Sequence, residues 1–344
     1  MEIVLGHISS MEFWRTERSP SRTRALLARR GEPGGFRSDS YDEAKPSVCD
    51  LERLERIGLK QHSNPVHFIV PNTFSRVRTA HMTSSVFDKR IPPSAFVNVG
   101  DGVFVACPEL CLLLEARAAA FANLVETGYE FCGSYRLPAL PGSDMIPNQP
   151  PLTTAMKFKS FLSPVQNLRG VDAARKVVPH ILPNSESPKE SQLSILSSFP
   201  GRLGGYGFQQ ATLNHPVLIP EKARGQDVGR TCRCDLFWPD AKLDVEYDSR
   251  LHHAGSAEQV KDSARRTALA YRGILVITVT NEQLHMRSEM DKVAHAMAKR
   301  LGRRCRPRAS DWELKQIRLR SQLLGTTCPE EVGPNRSTTL SHQA

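Results

Sequence analysis

The chain has 344 residues, of which 40% are hydrophobic and 24% charged, so its length allows two domains and its composition excludes collagen, coiled coil and wholesale disorder. The sequence lacks the run of about 18 apolar residues that a membrane span needs, and its start lacks the basic and apolar regions of a signal peptide, so we expect a cytoplasmic protein without membrane contact. Lys and Arg number 46 against 36 Asp and Glu, a formal net charge of +10. This charge favours a polyanion, first of all nucleic acid, as partner.

The eight cysteines are spread along the whole chain, which is too sparse for a disulfide framework, and we expect free thiols. The closest pair, Cys232 and Cys234, has one intervening residue. Zinc knuckles need two, and no second pair at finger spacing accompanies it. The sequence therefore does not favour structural zinc.

Two clusters concentrate the positive charge. Six arginines and one acid, Glu17, lie between Arg15 and Arg30, and six basic residues without an acid lie between Lys299 and Arg308. Each cluster is explained equally well by a strip that contacts phosphates and by a solvated, flexible segment. The second cluster supplies the candidate nucleic-acid-binding residues Arg300, Arg303, Arg304, Arg306 and Arg308.

The proline-rich residues 137–152 are the predicted linker between two parts of the chain. Residues 1–136 are predicted to form a small α+β module. Its predicted strands are residues 66–70, 77–81, 96–99 and 103–106, and its predicted helix, opened by Pro108, is residues 108–120. After the linker we predict a helical connector at 153–186, a folded domain at 187–300, a basic helix at 301–327 and a disordered tail at 328–344.

The folded domain is predicted to be α/β, in the order helix, three strands, helix, strand. Ser187 and Pro188 are typical of a helix start, and Glu190 faces the positive end of that helix dipole. Pro239-Asp240 is a turn signal that predicts a hairpin. The remaining predictions are strands at 216–219, 233–238 and 243–247, a helix at 257–271 ended by Gly273, and a strand at 274–280 buried on both faces.

Acidic residues alternate with apolar ones in the third of these strands. Asp244, Glu246 and Asp248 share one face, and the hairpin partner adds Asp235. Like charges packed in this way repel each other unless a cation, protons or arginines compensate them. A Mg²⁺ site held by Asp235 and Glu246 is the functional explanation, and an edge strand that shows its polar face to water is the alternative.

Five spaced motifs extend this pattern along the chain. They are Arg233-Cys-Asp-Leu-Phe-Trp, Leu243-Asp-Val-Glu-Tyr-Asp-Ser, His252-His253, Asp262-x-x-Arg265-Arg266 and Gly273-Ile-Leu-Val-Ile-Thr. Together they resemble the PD-(D/E)xK nuclease superfamily, and within it the domain related to very-short-patch-repair endonucleases. The resemblance covers Ser187 to about Leu284 and implies a restriction-endonuclease-like αβββαβ core.

The resemblance also implies roles for single residues. Asp235 and Glu246 match the metal ligands, and the other matched positions are Glu190, Asp248, His253 or failing that His252, and Asp262 with Arg266 or Arg265. Asp248 stands where many superfamily members keep a lysine. For the helix pair, an ion pair between residues four apart explains the pattern as well as catalysis does.

These roles imply hydrolysis of phosphodiester bonds in DNA with Mg²⁺, or Mn²⁺, as the cofactor that lowers the pKa of a bound water while an imidazole moves the proton. An RNA nuclease shares the same site, because arginines contact phosphate in either polymer. The alternative is a non-cutting, antitoxin-like DNA-binding regulator on the same fold. The absent lysine favours the regulator, and the presence of both metal-binding acids favours the endonuclease.

The front module carries a second resemblance. Val66–Val70, Arg76-x-Arg78-x-x-His81 and Gly102-Val-Phe-Val-Ala-Cys-Pro-Glu-Leu are similar to segments of abortive-infection antitoxins and regulators that precede such nuclease-like domains. This resemblance implies a recognition or regulatory module and a surface for a homodimer or a partner protein.

Overall fold

The computed structural model of the protein describes residues 2–30, 45–59, 63–87, 92–139, 143–224, 228–248, 256–303 and 310–325. Two mixed sheets flanked by helices make the chain mixed α/β, as predicted. Among the helices of these ranges, none combines the length and the apolarity that crossing a bilayer requires. The tail predicted at 328–344 lies outside the described residues.

The first sheet has five strands in the order β3-β2-β1-β5-β4. The strands are β1 Ile3–Leu5, β2 Val66–Val70, β3 Met82–Val86, β4 Phe96–Gly100 and β5 Val103–Ala106. The helices of this part are α1 His7–Thr16, α2 Pro20–Ala28, α3 Val48–Arg56, α4 Pro108–Glu115 and α5 Phe121–Cys132. β1 is central, parallel to β5 and antiparallel to β2.

The strand predicted at 77–81 is wrong, because the chain turns there. The Thr79 hydroxyl accepts hydrogen bonds from the backbone N–H groups of His81 (3.2 Å) and Met82 (3.0 Å). This turn lets Met82–Val86 run parallel to β2 as the edge strand. The helix predicted at 108–120 ends earlier, at Glu115.

The second sheet has four strands in the order β6-β7-β8-β9. The helices and strands that follow α5 are α6 Ala155–Leu162, α7 Val171–Val177, α8 Pro188–Ser198, β6 Thr212–Leu218, β7 Thr231–Trp238, β8 Leu243–Asp248, α9 Ser256–Tyr271, β9 Leu275–Thr280, α10 Asn281–His285, α11 Arg287–Arg300 and α12 Trp312–Leu324. The predicted order of helix, three strands, helix, strand is the one observed from α8 to β9. The hairpin predicted at Pro239-Asp240 is also confirmed, since β7 and β8 pair antiparallel.

The strand predicted to be buried on both faces, now β9, lies at the edge of the sheet and pairs in parallel with β8. Leu275 at its start is 43% exposed. A continuous apolar run is typical of a central parallel strand, but α9 leads the chain back beside β8, and no described strand lies beyond β9. The prediction of two buried faces is therefore wrong.

A hydrophobic core runs through both sheets, from Ile3 to Leu323, with Leu152 of the proline-rich segment buried in it. A smaller cluster lies between the other face of the second sheet and α9, and includes Cys234 and Leu269. The main core has members on both sides of residues 137–152. A division of the chain into two domains at this linker therefore stays a prediction. In the described part of the chain six cysteines are free thiols.

The C-terminal helix α12 packs on this core. Leu319 and Leu323 are buried, and the Leu323 carbonyl accepts a hydrogen bond of 2.9 Å from Gln192 Nε2. Gly204 lies directly against the backbone of α12 with a φ of +88°. A Cβ at this glycine would overlap the carbonyl oxygen of Lys315.

We expect Gly204→Ala to lower the free energy of unfolding by about 3 kcal/mol, because a left-handed backbone and a backbone clash add together. Gly302→Ala is the matched control, since its φ is +63° and nothing lies within 4 Å of its Cβ position. Its expected cost is about 1 kcal/mol. Urea unfolding of both variants measures the difference, and equal costs would show that α12 does not press on Gly204.

Candidate functional site

The acidic face of β8 lies inside the protein. β8 runs between β7 and β9 rather than at an edge, and Asp244 is 0% exposed. Helix α9 covers the same side of the sheet with Ala268 and Leu269, which pack against Cys234 and Phe237. The explanation by a solvated edge strand is therefore wrong for this strand.

Asp244 is the most buried acid of this face. Neither of its carboxylate oxygens accepts a hydrogen bond of good geometry, although Glu246 and the thiol of Cys234 lie beside it. Burial first, and the neighbouring Glu246 second, raise the pKa of Asp244 to about 9. Sequence alternation placed Asp244 on the acidic face but assigned it no role, because alternation does not reveal which helix covers a strand.

Glu246 forms an ion pair with α9. Its Oε1 lies 2.5 Å from Nη1 of Arg265, and Arg265 Nη2 donates a hydrogen bond to the backbone carbonyl of Arg233. Arg266, which the resemblance names first as the arginine of the helix pair, is exposed, and so is its partner Asp262. Of the two arginines that the sequence left open, Arg265 is the one that contacts the acids.

Asp235 lies on the neighbouring strand β7 and is half-buried. Its Oδ2 accepts a hydrogen bond of 3.1 Å from the backbone N–H of Tyr247, which ties it to β8. Burial, followed by the charges of Glu190 and Glu246, raises the pKa of Asp235 to about 7. Asp235 thus lies close enough to Glu190 and Glu246 for their charges to act on it.

Glu190 is buried in the first turn of α8, where its carboxylate serves the local structure. It accepts hydrogen bonds from Ser187 Oγ (2.9 Å), the backbone N–H of Glu186 (3.0 Å) and Asn214 Nδ2 (2.6 Å). Burial raises the pKa of Glu190. Capping therefore accounts for Glu190, while its charge still acts on Asp235.

Of the remaining predicted site residues, the structure describes Asp248, Arg300 and Arg303. Asp248 is half-buried at the end of β8. Arg300 donates a hydrogen bond of 3.0 Å to the carbonyl of Gly273, so it closes the α9–β9 turn, and Arg303 is exposed. The predicted residues that lie outside the described ranges are His252, His253, Arg304, Arg306 and Arg308.

The first basic cluster, Arg15 to Arg30, lies in helices α1 and α2 and in the residues next to them. The ion pairs within it are Arg15 with Glu130 (2.7 Å), Arg30 with Glu109 (2.6 Å) and Arg22 with Glu17 (3.0 Å). Glu130 and Glu109 are buried. Three of the six arginines therefore pair with acids of the protein itself, and the helices rule out a flexible segment. A phosphate-contacting strip stays a prediction, for which Arg18, Arg22, Arg24 and Arg29 are exposed.

The acids of this face offer oxygen ligands of the kind that divalent cations take. Over the described residues, no group of three or more His, Cys, Asp or Glu side chains is arranged to hold a metal ion. Mg²⁺ usually takes only one or two carboxylates together with water and substrate oxygens, and Asp235 and Glu246 supply two. The raised pKa values of Asp235 and Asp244 indicate that both acids would ionise fully only beside a compensating cation. Asp235 and Glu246 are therefore of the donor type that Mg²⁺ or Mn²⁺ takes.

Two uncharacterized proteins from two strains of Mycobacterium tuberculosis are each 29% identical to this chain over 135 residues. The match takes in 39% of this chain, which spans 44% of the length of these curated relatives. No family model matches the chain, and no solved structure matches it significantly. Both relatives are named as uncharacterized, so they indicate no function for this chain.

Proposed function

We propose that the protein is a metal-dependent endonuclease of the PD-(D/E)xK type that hydrolyses phosphodiester bonds in DNA. The observation that carries the proposal is the convergence of Asp235, Asp244 and Glu246 around Arg265 in the described part of the chain. Three acidic groups share one guanidinium, so burial and mutual repulsion raise the pKa of Asp235 to about 7 and that of Asp244 to about 9, and both acids ionise fully only if a cation compensates them. A bound divalent cation is the simplest compensation.

The fold supports the proposal as well. A restriction-endonuclease-like core requires an antiparallel hairpin that carries the acids and a helix that returns the chain to a parallel last strand. The β7–β8 hairpin carries Asp235 and Glu246. Helix α9 connects β8 to the parallel strand β9.

In this mechanism Asp235 and Glu246 would hold Mg²⁺, or Mn²⁺, which when bound supplies a water of lowered pKa and compensates charge on the phosphate. Arg265 keeps the Glu246 carboxylate oriented through their ion pair. The Tyr247 N–H keeps Asp235 turned towards β8. Transfer of the proton from the attacking water belongs, by resemblance, to His253 or His252.

The proposal is tested with purified protein on supercoiled DNA, single-stranded DNA and tRNA, in Mg²⁺ or Mn²⁺ and with a chelator. We expect metal-dependent nicking of DNA that disappears with the chelator and with Asp235→Ala. Asp240→Ala is the matched control, because Asp240 is an exposed acid in the turn of the same hairpin and its loss should leave nicking unchanged. Cleavage of tRNA alone would move the proposal to RNA.

A non-cutting, antitoxin-like DNA-binding regulator is the second candidate. The ion pair of Glu246 with Arg265 favours it, because an arginine already neutralises one of the two proposed ligands. Salt-sensitive DNA binding without cleavage under any metal condition would select this candidate.

A further inference from the structure

The loop between β2 and β3, residues 71–81, carries an aromatic ring on its outside. Phe74 is 91% exposed, more than any other large hydrophobic side chain in the described part of the chain. The hydrophobic effect opposes such exposure, and the ring has no place in either hydrophobic cluster. The folded chain alone gives no reason for a phenylalanine at this position.

Hydrogen bonds hold the backbone of this loop in one conformation. Asn72 Oδ1 accepts from the N–H groups of Phe74 (2.9 Å) and Ser75 (3.0 Å). On the returning side, the N–H of Val77 donates to Ser84 Oγ of β3 at 2.8 Å. The tip is thus preorganised, so binding a ligand would cost the loop little conformational entropy.

The charge of the loop has one sign. Arg76 and Arg78 are both exposed, and the sequence contains no Asp or Glu from Val66 to Phe87. The ion pairs found over the described ranges include neither arginine. The loop therefore offers an exposed ring next to two cations, at the edge strand of the five-stranded sheet.

We propose that residues 71–81 bind a single-stranded stretch of polynucleotide, with Phe74 stacked on a base and Arg76 and Arg78 paired with phosphates. Aromatic rings reach base faces only where bases are unpaired, and stacking next to basic side chains is the usual way of holding such strands. The inference rests on the proposed function for its ligand, because it gives the nuclease a second contact to its substrate. A protein partner would also use an exposed Phe74, but the loop without acids is complementary to a polyanion.

The test measures binding in a chelator, so that no cleavage takes place. Fluorescence anisotropy is recorded with a labelled thymidine oligodeoxynucleotide, the matching uridine oligoribonucleotide and a DNA duplex. Phe74→Ala should weaken binding of the single strand about tenfold, in the range for one stacked base, and should change duplex binding less. Arg76→Ala combined with Arg78→Ala should reduce the slope of log affinity against log salt by about 1.4, for two phosphates on a single strand.

Two further variants sharpen the test. Met156→Ala removes another exposed hydrophobic side chain, 78% exposed on α6, and should leave binding unchanged. Phe74→Trp should bind as the wild type does, with its added fluorescence quenched by the oligonucleotide. Comparing the affinities for the DNA and the RNA single strand shows which of the two polymers the loop prefers.

Wild-type affinity for both single strands in Phe74→Ala would overturn the inference, and so would failure of the wild type to bind them. Failure of the proposed function would give a different result from failure of this inference. If the wild type binds through Phe74 but never nicks DNA, the loop assignment stands without the nuclease. If all loop variants bind and nick like the wild type, the nuclease stands without the loop.

Discussion

Glu246→Gln is expected to abolish DNA cleavage while DNA binding stays the same or becomes tighter. The substitution keeps the shape of the side chain but removes the charge of a proposed metal ligand and the ion pair with Arg265. The nicking rate should fall by at least about a hundredfold, the lower end of what one general-base or electrostatic contribution supplies. Binding should persist because one negative charge fewer faces the phosphates.

The measurement pairs a plasmid-nicking time course in Mg²⁺ with anisotropy binding in a chelator. Asp240→Asn is the matched control for loss of one carboxylate in the same hairpin, where it is exposed. An unchanged nicking rate in Glu246→Gln would remove Glu246 from the site. Loss of binding together with cleavage would indicate instead that the substitution disturbs the fold.

Asp244→Asn is expected to stabilise the protein at alkaline pH. The pKa of Asp244 is about 9 in the folded protein, whereas an unfolded aspartate titrates near 3.9. Between about pH 4 and pH 9 the folded state keeps a proton that the unfolded chain has lost, so stability falls as the pH rises through this window. Asparagine does not ionise, and it avoids the cost of ionising a buried carboxyl group.

Urea unfolding in a chelator at pH 5 and pH 8 measures this effect. At pH 8 the variant should be more stable than the wild type by about 2 kcal/mol or more, and the difference should be smaller at pH 5. Asp240→Asn should show no such pH-dependent difference, because Asp240 is exposed. A variant less stable than the wild type at both pH values would show that the Asp244 carboxylate is compensated in solution.

Local patterns predicted much of the second sheet. Ser187 does cap α8, with its Oγ accepting from the N–H of Glu190 at 3.2 Å, and Pro239-Asp240 does turn β7 into β8. Such signals work because caps and turns depend on a few consecutive residues. The first three helices were not predicted, although Ser19-Pro20 opens α2 and Ser47 forms a capping box with Asp50 at α3. Arg15 of α1 and Arg30, just after α2, pair with Glu130 and Glu109, about 80 to 115 residues away in sequence.

The sequence by itself determined which residues are acidic, which strand carries them and that Asp235 lies on the partner strand. The tertiary structure alone decided that β8 is central, that α9 buries Asp244 and that Arg265 rather than Arg266 meets Glu246. The reason is physical: side-chain alternation is a property of one strand. Burial and ion pairing depend on which element packs against that strand, and this choice is made by contacts between distant parts of the chain.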